Sequence, residues 1–240
     1  MFATDENLQI LKSCKLWMAD GTFKSVPAIW RQLYTIHGYV TQQNTSIPLI
    51  YMLLPDKKKR TYTRALEIIQ QSVDGRKPDN IVCDFEGAFI GACHSIYPDT
   101  NIKGCYFHFR QCVYRHIQQC GLQTLYAENL EFSSAMKMLA GLAYVPVDDV
   151  VQAYEELLDT VYFVDNEELL EDFLDYFETT WIGKKRRHSH RGEPTFAIKL
   201  WNNYDYIKND LPRTNNFVEG WNSSFNKRIG KYIEIHSNNF

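Results

Sequence analysis

The sequence has no C-x-x-C pair, no secretory signal at its start and no apolar stretch long enough to cross a bilayer. Its longest apolar stretch, residues 47–54, is much shorter than the roughly 20 residues that a membrane-spanning helix needs. The opening segment MFATDENLQI lacks the basic start and long apolar run of a signal peptide. Six cysteines are scattered along the chain. We therefore expect a soluble protein of a reducing compartment, with free thiols and no membrane partner.

Lys and Arg are absent from residues 148–178, although this segment contains twelve Asp and Glu residues. The formal net charge of the whole chain is −3, which by itself argues against nucleic-acid binding. The rest of the chain, however, contains all 26 Lys and Arg but only 17 of the 29 acidic residues. This asymmetry favours a basic, DNA-facing core with an acidic module directed away from DNA. The alternative is a pair of solvated acidic helices.

What is present is the residue periodicity of an α/β protein. Three strand-like runs come first and are followed by alternating helical and strand-like segments, which predicts a meander and then crossover connections. From about residue 122 the apolar spacing is helical only. We predict an α/β fold with a mixed sheet flanked by helices. Its parts are a core of residues 1–121, an all-helical insertion of residues 122–211 and a return to the core at residues 212–240.

Three acidic residues are candidates for one assembled site. Asp20 lies in MADGTF, Asp84 follows the apolar run IVC, and Glu219 lies in a helical segment near the end of the chain. Each has a structural alternative: Asp20 could form a hairpin turn with the next glycine, Asp84 could cap a helix, and Glu219 could be an exposed helix residue. Three carboxylates brought together offer the oxygen ligands that Mg²⁺ prefers, with Mn²⁺ as a substitute. Two such ions promote in-line displacement at phosphate, so we predict cleavage and joining of nucleic-acid strands.

The helical segment around Glu219 has two contrasting faces. Apolar side chains recur four residues apart on one face, and amides flank the carboxylate on the other. We predict that the apolar stripe packs against the core and that the polar stripe lies opposite to it. The apolar stripe consists of Phe217, Trp221, Phe225 and Ile229, and the polar stripe of Asn215, Glu219, Asn222 and Asn226.

The segment CYFHFRQCVYRH invites a zinc interpretation through Cys105, His108, Cys112 and His116. On one continuous helix the first and last of these residues lie about 16 Å apart along the axis, whereas zinc needs every ligand within about 2.3 Å. Cys105 and His108 could share an ion only if the backbone bends between them. We therefore favour packing of these side chains in or near the core.

Two basic clusters and three aromatic residues are further candidates for contact with nucleic acid. The clusters, residues 57–60 and 184–187, suit phosphate contacts or nuclear import, with solvated loops as the alternative. Trp201, Tyr204 and Tyr206 have rings that can stack on bases, but we expect Trp201 in the core.

Four motifs occur in order along the chain: FATDENLQILKSCKLWMADGTFKSVPAIWRQLYTIHG, CDFEGA, GCYFHFRQ and PRTNNFVEGWN. Together they resemble the transposase domain of Mutator-like elements (MULE), of the type often found beside FLYWCH zinc fingers. The resemblance runs from about residue 2 to residue 228. It implies a ribonuclease H-like core with a helical insertion, and DDE chemistry in which Asp20, Asp84 and Glu219 are the catalytic, metal-binding residues. It also implies two Mg²⁺ ions, DNA as the partner at transposon ends and at the target, a homo-oligomer and a nuclear location.

The same resemblance assigns roles to four further residues. Cys105 and His108 match the C-x-x-H motif of the family, which implies a site-shaping or DNA-contacting pair. Asn215 and Asn216 match the residues before the glutamate, which implies that they orient the site.

Met1 lies just before the domain and the chain stops soon after the last helix, so we expect a gene fragment or a domesticated remnant. The two functional expectations are therefore an active transposase and a domesticated, non-catalytic DNA-binding or regulatory protein.

Overall fold

The chain divides into two compact units. A computed structural model describes residues 1–23, 26–27, 29–185, 191–212 and 214–237. The first unit combines Met1–Lys103 with Thr214–Phe240, and the second unit is Gly104–Arg213. The predicted helical insertion, residues 122–211, falls inside the second unit, which begins earlier in the chain. The first unit is thus discontinuous in sequence.

The sheet of the first unit confirms the α/β class. Across the described residues the strands are β1 (Leu16–Thr22), β2 (Gln32–Val40), β3 (Thr45–Leu54), β4 (Asn80–Cys83) and β5 (Asn101–Gly104). They form one five-stranded sheet in the order β3-β2-β1-β4-β5. Strand β1 pairs antiparallel with β2 and parallel with β4, and β2 pairs antiparallel with β3. The first three strands are the predicted meander, and the parallel strand is reached by a crossover connection.

Helices flank this sheet and make up most of the second unit. In the described part of the chain the helices are α1 (Asp5–Ser13), α2 (Lys59–Ser72), α3 (Gly87–Ile96), α4 (Tyr106–Gln119), α5 (Gln123–Glu128), α6 (Leu130–Gly141), α7 (Val150–Leu158), α8 (Val161–Asp165), α9 (Glu167–Phe177), α10 (Ile198–Trp201), α11 (Tyr204–Lys208) and α12 (Asn216–Ser237). Helices α1 to α3 and α12 belong to the first unit, and α4 to α11 belong to the second.

Local sequence signals explain where the helices of the first unit begin and end. Thr4 caps α1, because its hydroxyl oxygen accepts a hydrogen bond from the backbone N–H of Asn7 at 3.1 Å. Helix α2 buries one face, formed by Tyr62, Ala65, Leu66 and Ile69. Asp74 and Gly75 follow it with φ angles of 53° and 71°, a left-handed conformation that stops the helix.

The structural alternative for Asp20, a hairpin turn at Asp20-Gly21, is excluded, because both residues lie inside β1. Asp20 is opposite Thr35, and Gly21 is opposite Tyr34. A Cβ atom at Gly21 would lie 2.7 Å from the side-chain oxygen of Gln32. Glycine at this position therefore permits close packing between neighbouring strands rather than a reversal of the chain.

The predicted orientation of the last helix is right for Trp221 of the apolar stripe but wrong for the polar stripe. Asn215 and Asn222, from the polar stripe, are buried, whereas Phe217 of the apolar stripe is 39% exposed. Trp221 does contact the sheet, with its ring 5.5 Å from that of His37. Helix α12 therefore contacts β1 through amides that hydrogen-bond to polar groups of that strand. Its apolar residue Trp221 contacts the neighbouring strand β2. Hydrophobic periodicity does not reveal this, because the partners of the amides lie about 200 residues away in the sequence.

Aromatic packing forms the centre of the second unit. Phe109 stacks on Trp201 with ring centroids 5.1 Å apart and meets Trp181 edge-on at 4.8 Å. All three side chains are fully buried, which confirms the expectation that Trp201 belongs to the core. Tyr206 is buried as well, and Tyr204 is partly exposed.

The acidic segment forms α7, α8 and α9, and part of its charge is balanced within the second unit. One guanidinium nitrogen of Arg191 donates to the carboxylate of Glu155 at 2.8 Å, and the other donates to Glu178. Only 13% of the Arg191 side chain is exposed. Because these ion pairs are partly shielded from water, they hold the acidic helices to the chain that follows them.

The described part of the second predicted basic cluster pairs with the same acidic helices. Lys184 forms an ion pair with Asp175, and Lys185 forms one with Glu155 at 3.5 Å. The remaining residues of the cluster, 186–187, lie outside the described residues. Because the two lysines pair with acidic residues of the protein itself, their contacts favour the alternative of a solvated loop over a phosphate-binding surface.

All six cysteines lie within the described residues, and each is a free thiol, as expected. Four of them are buried: Cys14, Cys83, Cys93 and Cys105. Burial raises the pKa of the Cys93 thiol, which keeps it protonated and unreactive. Among the described helices, none is both long enough and apolar enough to cross a membrane.

Candidate active site

The parallel pairing of β1 and β4 brings two of the predicted site residues to the same end of the sheet. Met18 pairs with Val82, and Asp20 and Asp84 each lie two residues beyond this pair. Residues two apart on a strand share one face, and neighbouring strands lie about 4.8 Å apart. The register therefore brings Asp20 and Asp84, the first residue after β4, to the same end of two neighbouring strands.

Asp20 is buried, with 9% of the residue exposed. Its Oδ1 accepts a hydrogen bond from the backbone N–H of Gly21 at 2.8 Å. Its Oδ2 accepts one from the side-chain amide of Asn222 at 2.9 Å. These two hydrogen bonds orient the carboxylate.

Asp84 is partly buried at the carboxyl end of β4. Its Oδ1 accepts a hydrogen bond from the backbone N–H of Phe85 at 2.6 Å. The capping position of α3 is occupied by Glu86, which makes no side-chain capping hydrogen bond. The alternative in which Asp84 caps this helix is therefore excluded.

Glu219 and Asp20 line the same cleft, whose volume is about 530 Å³. Glu219 lies in the first turn of α12 and is half-buried, so the alternative of a fully exposed helix residue does not hold. Asp84 is not among the residues that line this cleft. The lining is Asp20, Gly21, Thr22, Phe23, Glu219, Asn222, Ser223, Asn226 and Lys227.

Three asparagines fix α12 against the first strand. The Asn215 amide donates to the backbone oxygen of Ala19 at 3.4 Å, and the Asn226 amide donates to the hydroxyl of Thr22 at 3.0 Å. Asn222 lies between them and contacts Asp20, as described above. The spacing of Asn222 and Asn226 after Glu219 was a visible signal, because residues three, four and seven apart share a helix face. Their contacts with β1 were not predictable from that spacing.

A second polar network lies around Glu86, two residues after Asp84. Its carboxylate accepts a hydrogen bond from the Tyr62 hydroxyl at 2.7 Å and one from the Lys57 ammonium at 2.9 Å. Burial, and then the hydrogen bond to Glu86, raise the pKa of the Tyr62 phenol well above its usual range. Lys57 also lies 4.5 Å from the centre of the Phe23 ring. Lys57, the first residue of the first basic cluster, therefore contacts other residues of the protein.

The remaining candidates are distributed over both units. Cys105 is buried directly before α4, and His108 lies in the first turn of that helix, both in the second unit. His116 stacks on Tyr176 with ring centroids 3.6 Å apart, which fits packing rather than zinc binding. Asn216 is the exposed first residue of α12.

Part of the chain is similar to a known protein family. Residues 16–112 match the family model of the MULE transposase domain. No curated protein matches the chain. The resemblance expected from the motifs is thereby confirmed for a segment that contains the whole sheet, Asp20 and Asp84. At family level the match indicates a transposase-type nuclease or transferase, and such a domain implies DNA as a partner.

Proposed function

We propose that this protein is a DDE-type transposase domain, which cleaves DNA strands at element ends and joins a 3′-hydroxyl to target DNA. The observation that supports this proposal is the parallel register of β1 and β4, in which Asp20 and Asp84 each follow the pair Met18–Val82 by two residues. The cleft shared by Asp20 and Glu219 supports it further. In this proposal the sheet is a ribonuclease H-like core, and the three carboxylates are its catalytic residues.

The donor set fits divalent cations such as Mg²⁺ or Mn²⁺. All three proposed ligands, Asp20, Asp84 and Glu219, are carboxylates, and hard cations of this kind prefer oxygen. The hydrogen bonds from Gly21 and Asn222 hold both oxygens of Asp20 in place. When bound, two cations would supply Lewis-acid activation of the attacking hydroxyl and stabilisation of the leaving oxygen.

The protein's own residues would bind and orient the groups that react. The buried Asp20 is held between strand and helix, so that its carboxylate need not reorganise during the reaction. Lys227 lies at the edge of the same cleft and offers a positive charge for a DNA phosphate. Cys105 and His108, together with Asn215 and Asn216, are proposed to shape the site or contact DNA. Action as a homo-oligomer in the nucleus completes the proposal.

A matched pair of aspartate variants tests this function. Asp84→Asn removes one charge at the carboxyl end of β4, and Asp79→Asn makes the same change at an exposed position before the strand begins. We expect Asp84→Asn to lose Mn²⁺ binding measured by calorimetry, and Mn²⁺-dependent nicking of supercoiled plasmid. The control variant should retain both, because its side chain lies at the opposite end of the strand.

The outcomes separate the two functional expectations. Nicking that persists in purified Asp84→Asn protein would refute the assignment of the catalytic residues. If the wild-type protein binds DNA but neither binds Mn²⁺ nor nicks DNA, the result supports a domesticated, non-catalytic DNA-binding protein instead of an active transposase.

A further inference from the structure

Asn222 connects the last helix to the carboxylate at the centre of the proposed site. Its side-chain amide donates to Asp20 Oδ2 at 2.9 Å, and only 7% of the residue is exposed. It follows Glu219 by three residues, so both side chains project from the same face of α12 into the cleft. This contact lies wholly within the first unit.

We infer that Asn222 is a positioning residue of the divalent-cation site, which orients Asp20 through its N–H group and turns its own side-chain oxygen toward the cation. The inference rests on the proposed function, since it needs a cation among the three carboxylates. The motif PRTNNFVEGWN includes this residue, but the resemblance assigns it no role. The family match gives no information about it, because the matched segment ends at residue 112.

The second observation is the oxygen atom of the same amide. Asn222 Oδ1 is buried and has no hydrogen-bond partner among the described residues. A buried acceptor without a partner destabilises a protein by about 1–3 kcal/mol. Because this amide also lines the cleft, a cation or its hydration shell is a partner that would satisfy the oxygen.

Asn226, on the same helix, provides a comparison, because its amide contacts an uncharged residue of β1 rather than a carboxylate. It exchanges hydrogen bonds with the Thr22 hydroxyl, at 3.0 Å as donor and 3.4 Å as acceptor. Both of its polar atoms therefore have a partner on β1, and that partner is uncharged. Asn222, in contrast, has a carboxylate on one side and an unsatisfied oxygen on the other. The two amides are a matched pair for experiment.

The test compares Asn222→Leu with Asn226→Leu. Both changes replace an amide by an apolar side chain of similar volume on the same helix face. Asn222→Leu removes the hydrogen bond to Asp20, and Asn226→Leu removes the two hydrogen bonds with Thr22. Mn²⁺ affinity is measured by calorimetry, and thermal unfolding is followed by circular dichroism. We expect Asn222→Leu to weaken Mn²⁺ binding by about 10–100-fold, the usual effect of losing a group that orients a metal ligand. Asn226→Leu should weaken Mn²⁺ binding clearly less than Asn222→Leu does, because its partner Thr22 is not a proposed ligand.

Each outcome decides the matter. Equal Mn²⁺ affinity in wild type and Asn222→Leu overturns the inference and leaves the proposed function standing. An equal loss in both leucine variants also overturns it, because general loosening of α12 would then explain the effect. If wild type itself binds no Mn²⁺, the proposed function and the inference both fail. Should Asn222→Leu not fold, Asn222→Ser, which keeps a smaller polar group, is measured against Asn226→Ser with the same expected difference.

Discussion

Protonation of His37 should loosen the sheet from the last helix. This side chain is fully buried on β2, and its ring meets that of Trp221 edge-on at 5.5 Å. Its Nδ1 lies 3.4 Å from the Ser46 hydroxyl, and its Nε2 has no partner among the described residues. Burial lowers the pKa of His37 from 6.5 to about 4. The imidazole is therefore neutral in the folded protein under ordinary conditions.

The size of the effect follows from the two pKa values. As pH falls from 6.5 toward 4, the unfolded chain takes up a proton at this histidine while the folded protein does not. The unfolded state is thereby favoured, and stability is lost on acidification. With 1.36 kcal/mol for each pKa unit, His37 should lower the free energy of unfolding by about 2 kcal/mol between about pH 7 and pH 4.5.

Urea unfolding of wild type and His37→Gln at these two pH values isolates this contribution. Carboxylates also titrate in the range, but they do so in both proteins and cancel in the comparison. We expect the loss of stability on acidification to be about 2 kcal/mol smaller in the variant than in wild type. Equal losses in the two proteins would refute the buried, neutral state of His37. Trp221 fluorescence gives an independent signal, since its ring adjoins the histidine.

Three further changes test the packing of both units. Gly38→Ala should destabilise the protein by about 1–3 kcal/mol in urea unfolding, because the added Cβ would lie 2.6 Å from the Cys14 sulfur; unchanged stability would contradict this contact. Arg191→Met should lower stability by about 1–3 kcal/mol at neutral pH, because it leaves Glu178 without its charged donor. High salt should reduce the stability difference between wild type and this variant, and a difference that does not change with salt would contradict an ionic origin. Phe109→Ala removes a fully buried ring and should cost about 3–5 kcal/mol; a loss below about 1 kcal/mol would show that the aromatic centre is not closely packed.

The order of the elements was predictable because it depends on local patterns. The strands β2, β3 and β4, and the helices between them, follow runs of apolar residues with clear periodicity. The end of α2 follows from an Asp-Gly pair that adopts positive φ angles. These signals lie within one turn or one strand, so no knowledge of distant contacts is needed to interpret them.

The assembly of the candidate site could be predicted only in part. That Asp84 ends a buried strand is evident from the sequence, and its partnership with Asp20 follows once the parallel register is known. The continuation of β1 through Gly21 was not evident, because Asp-Gly is equally typical of a turn. The inward direction of Asn222 was not evident either, because an amide is buried only where the fold supplies a polar partner.

The discontinuity of the first unit affects the order in which the protein is completed during synthesis. Asp20 and Asp84 leave the ribosome early, whereas Glu219 and Asn222 follow only after the second unit, Gly104–Arg213, has been translated. At roughly 5–20 residues per second this delay lasts on the order of 5–20 s. During that interval β1 lacks its contacts with α12, and the cleft does not yet exist. A nascent chain would thus hold two of the three proposed site carboxylates well before the third, and the cleft would form only once α12 has been made.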